Sequence, residues 1–352
     1  MLRQLKYYEA IREAIDQSMA KDSTVYIMGE GVPDPKGTFG TTLGLSQKYG
    51  DLRVMDMPLS ENSMTGVAIG SAIMGMRPIM THQRIDFVLL AMDQIVNNAA
   101  KWHYMFCGQE SVPLVIRLVI GRGWGQGPQH SQSLQALFVH IPGLKVVMPV
   151  TPYDAKGLLI SSIEDNNPVI FIEHRWLHHI VGDVPEEMYR VPLGHARRIR
   201  EGTDITIIAT SHMVLEALRT VDILKNVGVK SEVIDVRTLR PLDTELIIES
   251  VKKTGHVIVV DTGWKMCGFG SEVIARVVEN AFHELKSPPQ RIGLSDYPTP
   301  TSPALTKNCY PQAVDIAQVA CKMLGISNDI LNIKEDNTIP SDVPDKNFTG
   351  PF

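Results

Sequence analysis

Glu61 is the side chain best placed to do chemistry. It lies in MDMPLSENSMTG, where a strand ends and a helix begins, and open α/β sheets place ligand groups at such junctions. A carboxyl there can hold or pass a proton. An apolar pocket raises its pKa, and the start of a helix opposes this by favouring the anion. The same residue also reads as a first-turn acid that complements the helix dipole. His130, in GPQHSQ, follows the glycine-rich GRGWGQG. An imidazole there can hydrogen-bond a substrate or move a proton, or simply face solvent. The loop has neither a GxGxxG nor a P-loop pattern, and its composition suits an adaptable active-site loop. In THQRIDF, His82 and Arg84 share one strand face by alternation, ahead of Phe87. With Arg122 and Trp124 they would line a cationic substrate pocket, because a buried guanidinium needs an anionic partner. Surface ion pairs explain Arg84 and Arg122 equally well, and plain core packing explains Phe87 beside Ile85, Leu89 and Leu90.

The elements that must position these groups follow from pattern. Ser60 is a helix N-cap candidate. Met64, Val67, Ala68, Ala72 and Ile73 recur at helical spacing after it, with Gly75 as the stop. Residues 3–20 read as a helix, STVYIMGEGV and RVMDM as strands, and 92–105 as a helix. VPLVIR, LKVVMP and PVIFIEH read as further strands, with PYDAKGLLISSI as a helix. Prolines 185 and 192 with Gly194 mark a break, after which strands and helices alternate again to DIAQVACKML. Such alternation predicts an α/β protein of two doubly wound, mainly parallel sheet domains. The boundaries read as 1–190, 191–325 and a polar, proline-punctuated tail over 326–352.

The composition excludes several classes. A net charge of −5 gives no basic excess for nucleic acid or an anionic membrane. No run approaches the ~20 apolar residues of a membrane span. Four scattered cysteines show no metal spacing, and reduced thiols in a cytoplasmic protein are expected.

PLSENxxTG, the GxRPI and DFxxxxDQI that follow it, VPLVIR, GPQHSQ, HIPGLKVVMP, DAKGLL, DNNPVIF, DVRTLRPLD and DTGW together carry a family pattern over roughly residues 5–325. The chain resembles the beta subunit of the decarboxylating, thiamine diphosphate-dependent component of 2-oxo acid dehydrogenases. That family has transketolase-like pyrimidine-binding and C-terminal domains. The resemblance implies that Glu61 hydrogen-bonds the aminopyrimidine and helps the thiazolium carbon lose its proton, and that Phe87 stacks on the same ring. His130 becomes the active-site histidine that helps pass the acyl group to a lipoyl arm. Glu30 and Asp93 match acids on a buried polar path between two active sites, with Glu30 close to the cofactor. Asp165 and Asn167 match a potassium site, although a plain turn explains them nearly as well.

The chain has no GDG motif with a following Asn for the diphosphate and Mg²⁺. The resemblance assigns those groups to an alpha subunit, in an assembly of two alpha and two beta chains with beta–beta contact, served by a lipoyl acyltransferase. Thr81-His82-Gln83-Arg84 departs from the family pattern and points to a polar or anionic substrate. An alternative is a split transketolase-like carbon–carbon ligase or ketol transferase; a fold-only partner without cofactor is the third reading, and Glu61, Phe87 and His130 argue against it.

Overall fold

The computed structural model describes residues 2–123, 125–306, 309–331 and 343. The chain divides into two compact units: residues 1–121 with 137–193, and residues 122–136 with 194–351. The segment 122–136, which carries His130, thus belongs with the second unit although it precedes most of it in sequence. Trp124 and most of the tail lie outside the described residues.

The first unit contains β1 (Leu2–Lys6), α1 (Tyr7–Lys21), β2 (Val25–Gly29), α2 (Leu45–Tyr49), β3 (Val54–Met55), α3 (Glu61–Ile73) and β4 (Arg77–His82). It continues with α4 (Ala100–Met105), β5 (Val115–Ile120), α5 (Gln135–His140, shared with the 122–136 segment), β6 (Lys145–Val147), α6 (Pro152–Glu164), β7 (Val169–His174) and β8 (Val181–Pro185). Its parallel sheet runs β6-β7-β5-β4-β2-β3. Strands β2, β5 and β7 are buried along their whole length, as strands covered on both faces must be.

Three local expectations are corrected. Residues 2–6 are a strand and not the first turn of a helix, because Leu2–Lys6 pair antiparallel with Val181–Pro185. The stretch after Phe87 is not one α-helix. It is a 3₁₀ turn (Phe87–Ala91), a π turn (Gln94–Ala99) and then α4, and π turns are frequent at functional sites. In α3 the buried face is Glu61, Thr65, Ala68, Ile69 and Ala72, while Val67 is exposed and Ser60 makes no side-chain cap bond.

The second unit holds β9 (Arg197–Arg200), β10 (Ile205–Ala209), α7 (Met213–Lys225), β11 (Ser231–Asp235), β12 (Thr238–Arg240), α8 (Thr244–Thr254), β13 (Val257–Trp264), α9 (Phe269–Ala281), β14 (Gln290–Leu294), α10 (Pro303–Thr306) and α11 (Ala313–Leu324). Its sheet order is β14-β13-β10-β11-β9, parallel except for β9. Asp243 caps α8 by accepting the Leu246 N–H at 3.1 Å, and Gly255 closes it in the left-handed conformation. No helix among the described residues is long and apolar enough to cross a membrane.

Candidate active site

In the first unit, three parallel strands deliver the acids and the ring. β2 ends at Gly29 and hands the chain to Glu30, β3 leads through Asp56 to α3, and β4 leads through His82 to Phe87. Gly29 is needed there, since a Cβ would stand 2.3 Å from the Thr81 carbonyl of the neighbouring strand. The loops are tied together as well. The Gly31 N–H donates to Asp56 Oδ1 at 3.0 Å, and Gln83 Nε2 donates to the Glu30 carbonyl at 3.1 Å.

Glu61, the first residue of α3, is buried. Glu30 is half-buried, and its carboxyl is held above the usual carboxylate range by burial first, then by the charges of Glu61 and Asp56. Glu30 therefore holds its proton more readily than an ordinary carboxyl. Phe87 is half-buried at the head of the 3₁₀ turn.

His82 is 4% exposed, and its Nε2 has no hydrogen-bond partner among the described residues. Burial pushes its pKa down to about 4, so the ring is neutral and is not a second cation beside Arg84. Arg84 is buried rather than a surface ion-pair group. It donates to the Gly121 carbonyl at 2.6 Å and lies 5.6 Å from the Phe39 ring centre. Arg175 lies 5.0 Å from the same ring centre. Phe39 sits at φ 51°, an uncommon conformation for a residue with a side chain. Its role had no sequence signal beyond a place in a Gly/Pro-rich loop.

Sequence reasoning also missed the support behind β4. Glu173 on β7 is fully buried and accepts from Arg117 Nε on β5 at 2.7 Å, while its other oxygen lies 3.3 Å from His178 Nε2. Arg117 Nη1 reaches Thr81 Oγ1 at 3.4 Å. A charged residue in the middle of an apolar strand such as VPLVIRLVI was the available signal.

Asp93 is exposed in the single chain, and it accepts from Asn97 Nδ2 at 2.7 Å. The Asp165–Asn167 turn does not fit a potassium ion. Lys145 pairs with the Asp165 carboxylate, whose Oδ1 also accepts the Asn167 N–H at 2.8 Å. Arg77 donates to the main-chain carbonyls of Ile163 and Asp165 at 3.0 and 3.1 Å and to Asn166 Oδ1 at 2.7 Å. Positive charge already occupies the turn.

In the second unit, His130 is exposed in a turn, with its N–H donating to the Gly127 carbonyl at 3.2 Å. Arg122 is fully buried, and donates to the Pro300 carbonyl at 2.6 Å and to that of Thr301. These bonds hold its guanidinium to the second unit's own backbone, so it is not the surface ion-pair group that the sequence allowed.

Comparison with known proteins agrees with the two α/β units. Residues 3–179 match the family "Transketolase, pyrimidine binding domain", and 194–316 match "Transketolase, C-terminal domain". The chain is 44% identical over 334 residues to the acetoin:2,6-dichlorophenolindophenol oxidoreductase subunit beta of Cupriavidus necator, covering 92% of this chain and 98% of that one. It is 44% identical over 323 residues to the pyruvate dehydrogenase E1 component subunit beta of Porphyra purpurea, covering 92% and 98%. The mitochondrial E1 beta subunit of Mus musculus is 40% identical over 328 residues, covering 92% and 91%. A solved split-gene transketolase, an inactive beta4 tetramer, shares the fold with a TM-score of 0.75 at 22% identity, covering 92% of this chain and 99% of that one. The chain therefore belongs to the family of beta subunits of thiamine diphosphate-dependent 2-oxo acid dehydrogenases, built from transketolase-type pyrimidine-binding and C-terminal domains.

Proposed function

We propose that this chain supplies the aminopyrimidine half of a thiamine diphosphate site in an enzyme that oxidatively decarboxylates a 2-oxo acid and passes the acyl group to lipoamide. The observation that carries the proposal is the buried Glu61 at the start of α3, coupled to a Glu30 carboxyl held above its usual range. The residues fit the cofactor's pyrimidine. Glu61 would hydrogen-bond a ring nitrogen, Glu30 would stand beside it, and the half-buried Phe87 would stack on the ring. When bound, thiamine diphosphate accepts the electron pair released as the 2-oxo acid loses carbon dioxide.

The chain's own contribution is the buried Glu61 carboxyl, which would hydrogen-bond the ring nitrogen. Burial, with the charges of Glu61 and Asp56, raises the Glu30 carboxyl, so Glu30 holds its proton more readily than an ordinary carboxyl and could supply one beside the ring. His130, exposed on its loop, would hydrogen-bond the acyl oxygen and assist transfer. His82 Nε2, buried and neutral, and the Arg84 side chain give the proposed pocket a polar lining, which favours a substrate with a polar group beyond its 2-oxo acid.

The diphosphate and Mg²⁺ are assigned to a separate alpha subunit, in an assembly of two alpha and two beta chains. Val67, in α3, is 55% exposed and Met74, which closes that helix, is 83% exposed, and a partner surface would cover such apolar side chains. The four cysteines are free, which suits a reducing compartment such as the cytoplasm. The test is turnover by the chain co-purified with its partner, across apolar, acidic and phosphorylated 2-oxo acids with a lipoyl acceptor. Lipoamide-dependent turnover is expected, with a polar substrate preferred and that preference weakened in Arg84→Leu. Ketol transfer without lipoamide would favour the transketolase-like alternative.

A further inference from the structure

Open parallel sheets bind ligands outside the carboxyl ends of their strands, at the point where the winding reverses. In the second unit that point lies between β10 and β13, since the chain leaves β10 to build β11 on one side and returns to β13 on the other. The groups there are Thr210, just after β10, with Asp261 and Thr262 in β13, all buried. The structure fills this point with its own chain. Gln135 Nε2 donates to Asp261 Oδ1 at 2.8 Å, and Ser133 and Thr262 share a hydroxyl bond of 2.9 Å.

We infer that this switch point is a clamp for the His130 loop, with Gln135 and Asp261 acting as positioning residues for His130. The inference rests on the reading of His130 as a substrate contact. The segment is held at both ends of a short span. At its leading end, Arg122 donates to the Pro300 and Thr301 carbonyls. Gly127 then passes so near Thr301 that a Cβ would stand 2.3 Å from its Oγ1. At its trailing end, Gln135 is fully buried and reaches Asp261 because residue 263 is glycine; a Cβ there would lie 2.9 Å from the Gln135 amide nitrogen. His130 stands exposed between these anchors. Asp261 Oδ1 also accepts Thr210 Oγ1 at 2.7 Å and the Thr262 N–H at 2.9 Å. The β10–β13 junction therefore keeps its hydrogen bonds when Gln135 is removed, which separates clamp from fold.

Hydrogen exchange followed by mass spectrometry on the full chain tests the clamp without needing activity. Gln135→Leu and Gly127→Ala act at opposite ends of the loop. Each is expected to speed amide exchange over 122–136 by roughly tenfold, as loss of a buried hydrogen bond or close contact would, with β10 and β13 unchanged. Gln135→Glu places a second carboxyl against Asp261, so loop protection should persist in acid, where the pair shares a proton, and vanish as the pH rises. A simple change of volume would show no such dependence. In the complex with the partner subunit, Gln135→Leu should lower kcat with KM unchanged. Wild-type exchange in both Gln135→Leu and Gly127→Ala would overturn the clamp, as would loss of protection spread over the whole second unit. A His130→Gln complex with full turnover would overturn the reading of His130 instead, while the exchange data still decide the clamp.

Discussion

Glu61 is buried at the start of α3, where both the helix dipole and a hydrogen bond to the cofactor's ring could engage its carboxyl. Glu61→Gln in the assembled enzyme should slow exchange of the cofactor's thiazolium C2 proton for deuterium by ~10²–10⁴-fold and leave assembly intact. A wild-type exchange rate would leave the residue only its helix role. His82 carries a different test. Burial moves its pKa from 6.5 to about 4, so between those values the unfolded chain binds a proton that the folded chain refuses. The stabilisation is complete above pH 6.5 and is lost as the pH falls to about 4. Urea unfolding across that window should show stability falling with acidification, and His82→Leu should flatten the slope; an unchanged slope would mean that the ring titrates normally. The place of Glu61 at a strand-to-helix junction was legible in the sequence, because Ser60 and the apolar spacing after it mark the helix start. The neutrality of His82 was not, because it depends on what buries the ring, and residue spacing carries no such information.

At the scale of elements, the site stands on β4, and β4 is held by a buried ionic layer running through Thr81, Arg117, Glu173 and His178. Burial opposes the Glu173 charge, and Arg117 and His178 hold its carboxyl below the usual range. Glu173→Gln should destabilise the first unit by about 3–5 kcal/mol, because Arg117 would remain buried without its counter-charge, and Arg117→Met with Glu173→Leu should cost less than either single change. Denaturant unfolding of the three variants checks this, and equal losses would mean that the layer only fills space. Apolar runs and proline punctuation were sufficient to predict the parallel strands. Three elements were not readable, each for a long-range reason. β1 forms only because β8 pairs with it across the first unit, the 3₁₀–π break after Phe87 keeps a helical hydrophobic pattern, and β9 hides in the polar stretch HARRIR. The glycine-rich stretch in 122–136 read as an adaptable loop, and its anchors were not legible because its partners, Pro300, Thr301, Asp261 and Thr262, are more than a hundred residues away.

At the scale of the whole molecule, the account is of a chain that carries one half of an active site. The residues proposed to meet the aminopyrimidine, Glu61, Glu30 and Phe87, all lie in the first unit, and the sequence offers no motif for the diphosphate and metal. The exposed apolar side chains at α3 are the surface expected of a subunit rather than a finished enzyme. Isothermal titration calorimetry of the purified chain alone, with thiamine diphosphate and Mg²⁺, tests this most directly. The account predicts no saturable heat at micromolar cofactor until the partner subunit is added; one-site micromolar binding by the chain by itself would contradict it.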